Sequence, residues 1–147
     1  VWPPSLKRLV FHSEIPSYAV PHMLLSRRDA CNRPIHSVVW PASLQQLSFA
    51  FGHVFNQPIV DVVWPASLQR VSFGRSFNQP IVGATWPASL QQLSFGRAFD
   101  QPVVGATWPA SLQQLSLGGS FNQTIVDVVW PASLQQLSFG YEFNQPI

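Results

Sequence analysis

The sequence predicts a mainly β repeat solenoid: a right-handed coil with one short parallel β-sheet and a largely non-helical return side. Three observations predict it. Trp-Pro recurs at Trp2, Trp40, Trp64, Trp86, Trp108 and Trp130, and the last three intervals are each 22 residues. A period of that size marks stacked supersecondary units rather than one globular core. Within a unit, apolar residues two apart, such as Leu93 and Phe95, alternate with polar ones, which is the period of a strand. Finally, Pro87 and Pro102 fall within one unit, and two prolines so placed exclude a regular helix there.

The unit from Trp86 to Thr107 serves as the type. Leu90 sits at a bend before a strand spanning Gln92 to Phe95. Leu93 and Phe95 face inward, and Gln92 and Ser94 face outward. Gly96 is expected at the following turn because glycine tolerates positive φ. Phe99 returns to the interior. Asp100 stands where other units carry Asn32, Asn56, Asn78, Asn122 and Asn144. A polar side chain in every turn is expected to stack with its neighbours and satisfy loop backbone groups. Pro102 opens the return path, with Trp86, Val103 and Val104 expected to close the core. The recurring Ser43, Ser67, Ser89, Ser111 and Ser133 are expected to make local backbone bonds.

A single turn cannot bury its own apolar face, so the turns must stack. Residues 1–147 form a single solenoid domain of about six turns, the first interrupted by an insertion at about 12–30. The insertion carries a candidate helix start at Pro21. The chain opens on Val1 and stops partway through a unit, so it reads as a fragment of a longer protein.

Composition narrows the function. Charged residues make up 10% of the chain, against about 25% in an ordinary soluble domain. No apolar run is long enough for a membrane helix. A net charge of +2 is too small to imply nucleic acid. The lone Cys31 excludes an internal disulfide framework and favours a cytoplasmic setting. Charge is uneven: residues 1–75 hold seven Lys/Arg and three Asp/Glu, whereas residues 76–147 hold one and three.

The unit W-P-x-S-L-x-x-L-x-F-G-x-x-F-N-Q-P-I resembles the FNIP repeat, a 22-residue relative of the leucine-rich repeat. The signature stands at Phe55-Asn56-Gln57-Pro58-Ile59, Phe77 to Ile81, Phe121 to Ile125 and Phe143 to Ile147. Asp100 and Thr124 are single departures, and the first turn reads Cys31-Asn32-Arg33-Pro34-Ile35. The resemblance implies a leucine-rich-repeat-like solenoid acting as a binding surface. Arrays of the family are often joined to F-box or kinase modules, which this chain does not contain.

No catalytic constellation is visible, and no enzyme activity is expected. The recurrent serine has no partnered His or carboxylate in its unit. His12, His22, His36 and Cys31 match no tight metal-ligand spacing, so neither metal nor cofactor is expected. Asn122-Gln123-Thr124 is formally a glycosylation acceptor, but the other turns read Asn-Gln-Pro at this place. The expected function is recognition of a protein or peptide partner, acidic or polar in character. Outward strand positions form two columns: Gln46, Arg70, Gln92, Gln114 and Gln136, and beside them Ser72, Ser94 and Ser116. A third, variable column follows the turn: His53, Arg75, Arg97, Gly119 and Tyr141. Variable positions on a fixed scaffold can tune partner choice. Two rival readings are a structural or adhesive β-solenoid and a functionally inert repeat expansion.

Overall fold

The computed structural model describes residues 2–11, 32–49 and 54–147. His12, His22, Cys31, His53 and the insertion with its candidate helix lie outside the described residues. Six short strands run in chain order: β1 (Arg8–Val10), β2 (Gln46–Ser48), β3 (Arg70–Ser72), β4 (Gln92–Phe95), β5 (Gln114–Leu117) and β6 (Gln136–Ser138). They form a single parallel sheet in the order β1-β2-β3-β4-β5-β6. The register is that of the repeat: Gln92 pairs with Gln114, Leu93 with Leu115, and Ser94 with Ser116. No helix occurs among the described residues. The return side is built of turns, as the prolines require.

The inward alternation is as the period demands. Leu47, Val71, Leu93 and Leu115 are buried, while the flanking Gln and Ser positions of the inner strands stay partly or fully exposed. Two phenylalanines per turn fill the space behind them. Phe73 and Phe77 stack at 4.2 Å within a turn, and Phe77 meets Phe99 of the next turn at 6.3 Å. Leu117 takes the strand-end ring position in the fifth turn. Tryptophans form a second stack, with Trp40–Trp64 at 6.1 Å and Trp64–Trp86 at 6.0 Å, and Phe73 meets Trp86 edge-on at 6.3 Å. The indole N–H groups of Trp40, Trp64, Trp86 and Trp108 make no hydrogen bond among the described residues, so this stack contributes through apolar contact. Val103 is buried, but Val104 is not: it stands 38% exposed at a corner, and the expectation that it closes the core is wrong. The outer turns are thinner. Leu9, Phe11, Leu137, Phe139 and Phe143 are only partly buried, because each lacks a neighbour on one side.

Polar side chains stitch the turns together. The recurring serine bonds not locally but to the previous turn: Ser89 Oγ donates to the Leu68 carbonyl at 2.7 Å, and Ser111 to the Leu90 carbonyl at 2.6 Å. The backbone runs the same way, with the Gln91 and Gln92 N–H groups both donating to the Gln69 carbonyl. The asparagine column is a ladder of acceptors. Asn56 Oδ1 accepts the Asn78 backbone N–H at 2.8 Å and the Gln79 Nε2 at 3.1 Å. Asp100 serves the next step equally, accepting from the Asn122 N–H and the Gln123 Nε2, each at 2.9 Å. These two bonds need only an acceptor oxygen, which explains the one aspartate in the column. Replacing Asn56 with alanine should therefore cost about 1–3 kcal/mol by orphaning partly buried donors. Asn56→Asp should cost well under half as much. Urea unfolding of the two variants checks this, and equal losses would contradict the ladder.

Glycine acts in two distinct ways. Gly83 and Gly105 take φ of +88° and +81° at the return-side corner, where Asp127 holds φ of 68°. Gly96 does not hold positive φ, contrary to the sequence expectation, although Gly118 at the same place in the next turn does, with φ of 69°. The constraint at Gly96 is contact: a Cβ there would fall 2.0 Å from the Gly74 carbonyl oxygen. Gly140 meets Gly118 in the same way, at 2.0 Å. The turn glycines thus let successive turns approach backbone to backbone.

Candidate functional site

The sheet presents its outward face as a shallow trough of about 730 Å³. Gln46, Arg70, Gln92, Gln114 and Gln136 line it, as do Ser72, Ser94 and Ser116. Each of these residues was singled out in the sequence, and the parallel register brings all eight onto one surface. The cause is simple. A strand turns alternate residues outward, and in-register stacking then repeats one residue type along the coil axis. Arg8 and Arg70 also line the trough, on the two strands that flank Gln46. The basic side chains of the trough therefore sit at its N-terminal end, and the remainder carries uncharged amides and hydroxyls. Six strands at about 4.8 Å spacing make a trough roughly 24 Å long.

Arg75 and Arg97 lie elsewhere. They are exposed on the rim, just past the C-terminal ends of β3 and β4. With Ser76, Ala98 and Ser120 they line a second, smaller cleft of about 260 Å³. The rim is held by inter-turn backbone bonds, from the Ala98 N–H to the Arg75 carbonyl at 2.9 Å and from the Ser120 N–H to the Arg97 carbonyl at 2.8 Å. Tyr141 is 70% exposed, and the Arg97 guanidinium lies over its ring at 5.8 Å. This contact skips a turn. It passes across Gly119, whose missing side chain leaves the room: a Cβ there would sit 3.1 Å from both Arg97 Cγ and Tyr141 Cε1. The arginines thus form two separate features, a trough end and a rim cleft.

Sequence reading missed Ser76 and Ser120 at the rim, and it missed the role of Gly119. The signal was a glycine interrupting an otherwise long-side-chain column. It also missed a row of exposed β-branched residues preceding the Trp-Pro pairs, where Val39, Val63 and Val129 stand 78–84% exposed. No group of three or more His, Cys, Asp or Glu is placed to hold a metal ion among the described residues.

Comparison with known proteins agrees with this architecture. A crystal structure of CroV588, described as a novel circular LRR protein, is similar to the chain with a TM-score of 0.71 and 45% sequence identity. The similarity covers 79% of this chain and 17% of that one, so the chain spans only a small part of its length. No curated protein matches. The FNIP Repeat profile matches residues 55–97, 77–120, 99–141 and 121–147 in overlapping steps. The match begins at Phe55, yet β1 and β2 continue the same sheet before it. With the repeat period, the parallel register and this profile in agreement, the chain belongs to the FNIP repeat family.

Proposed function

We propose that the array is a non-catalytic protein-interaction scaffold whose trough receives an extended polypeptide segment. One observation carries this reading: the outward columns of Gln and Ser make a continuous polar surface on a rigid sheet. Amide and hydroxyl groups both donate and accept, so they suit a peptide backbone and tolerate varied side chains. At about 3.3 Å per residue, a trough of roughly 24 Å takes a segment of about seven residues along the coil axis. Arg8 and Arg70 favour an acidic end of that segment over the N-terminal strands.

A structural or adhesive role has one observation in its favour, the exposed valine row at Val39, Val63 and Val129. The two readings use opposite parts of the molecule, so one experiment separates them. Filling the trough with Ser94→Tyr and Ser116→Tyr should weaken a captured partner at least tenfold, equivalent to about 1.4 kcal/mol. Val63→Ser and Val129→Ser should leave it unchanged. Binding that survives the tyrosines and falls with the serines would transfer the function to the valine row.

A further inference from the structure

Beyond the trough, we propose that the rim cleft across the third to fifth turns is a phosphoryl-binding site, reading a phosphorylated side chain on a polypeptide partner. The cleft is lined by Arg75, Ser76, Arg97, Ala98 and Ser120. Two of these residues are arginines from the same column of adjacent turns. Turns so stacked place like charges within about 5 Å at the backbone, and a bound dianion relieves that repulsion. The acids are poorly placed to do so. In the two rim columns the one carboxylate is Glu142, in the last turn, and Asp100 faces the asparagine ladder, where it accepts two bonds.

The recognition chemistry is that of side chains. The Ala98 and Ser120 N–H groups are already bonded to the Arg75 and Arg97 carbonyls. What remains for an anion is the fork of donors on each guanidinium and the hydroxyl of Ser120, a set suited to a phosphoryl group with three equivalent oxygens. Arg97 is held for this. Its guanidinium rests on the Tyr141 ring at 5.8 Å, reaching across the gap that Gly119 leaves. The contact runs the Arg97 side chain past Gly119, in the turn that carries Ser120. A planar cation fixed on an aromatic ring loses less freedom when it binds. A carboxylate supplies two oxygens and one charge, so glutamate is the weaker ligand.

The site is tested on the 147-residue chain by NMR. Inorganic phosphate is titrated against sodium chloride at matched ionic strength, followed by three peptides of one sequence carrying serine, glutamate or phosphoserine. Saturable shifts at the Ser120 amide and the Arg97 side-chain N–H are expected with phosphate. The phosphoserine peptide should bind at least about tenfold tighter than the serine peptide, with glutamate between them. Arg75→Gln and Arg97→Gln should each abolish that preference, Tyr141→Ala should reduce it, and Arg33→Gln, outside both the cleft and the trough, should leave it intact. Retained dispersion of the core Phe and Leu signals shows that each variant is folded. Equal affinity for the three peptides would overturn the proposal, as would loss of the preference in Arg33→Gln. Phosphate binding without phosphopeptide binding would overturn the assignment to a polypeptide partner. None of these failures touches the trough, whose test uses Ser94 and Ser116.

Discussion

Gly96→Ala should destabilise the array by roughly 3 kcal/mol or more, at the upper end of what overpacking a well-packed site costs. Alanine is the mildest substitution available, and Gly96 does not sit at positive φ, so backbone preference cannot account for the loss. The cost is steric. The added Cβ would meet the Gly74 carbonyl oxygen at 2.0 Å, its carbon at 2.5 Å and the Arg75 Cα at 2.8 Å. All three are backbone atoms, so no side chain can rotate aside. The turns must separate, and separation loosens the inter-turn bonds of the Ser and Asn columns together. Gly83→Ala offers the contrast. There the nearest atom is a valine methyl at 3.5 Å, and the strain arises from φ of +88°. That change should cost about 1 kcal/mol. Chemical denaturation of both variants decides the matter, and equal losses would contradict the close-approach account.

The second large effect is expected at Phe77. Its ring is fully buried and stacks on Phe73 within its turn, on Phe55 before it and on Phe99 after it. Phe77→Ala should cost about 3–5 kcal/mol, the range for truncating a buried ring. Phe143 makes the same contact with Phe139 but has no following turn, and it is only partly buried. Phe143→Ala should therefore cost clearly less. Because each turn contacts only its neighbours, damage in a central turn uncouples the two halves of the stack. The Phe77 variant should thus show a broadened unfolding transition, visible by circular dichroism. A sharp transition with an unchanged midpoint would contradict the ring ladder.

Much of this was legible before any coordinates. The period gave the stacking direction, and the two-residue alternation around Leu93 separated the inner face from the outer. Once both were known, the Gln and Ser columns of the trough followed. The asparagine ladder was legible as a column, though not its chemistry: that Oδ1 serves as acceptor for the next turn explains Asp100. Three features were hidden because they depend on distances between turns. The serine hydroxyl reaches back to the previous turn, whose carbonyl accepts it at 2.6–2.8 Å. Gly96 is set by a neighbouring backbone rather than by its own torsion angle. Arg97 passes over Gly119 to Tyr141, a contact across two repeats that no single unit displays. Val104 failed as a core residue because the corner turns it outward, where Val103 before it turns in.

The trough as the partner-facing surface is tested most directly by site-specific photo-crosslinking. A photoreactive phenylalanine analogue is placed in turn at Gln114 in the trough, at Val104 on the return-side corner and at Val129 in the valine row. Each version is irradiated with the same partner-containing mixture and resolved by mass. Crosslinks from Gln114 to a defined polypeptide segment, with little from Val104 or Val129, are the predicted result. Crosslinks concentrated at Val129 and absent from Gln114 would contradict it.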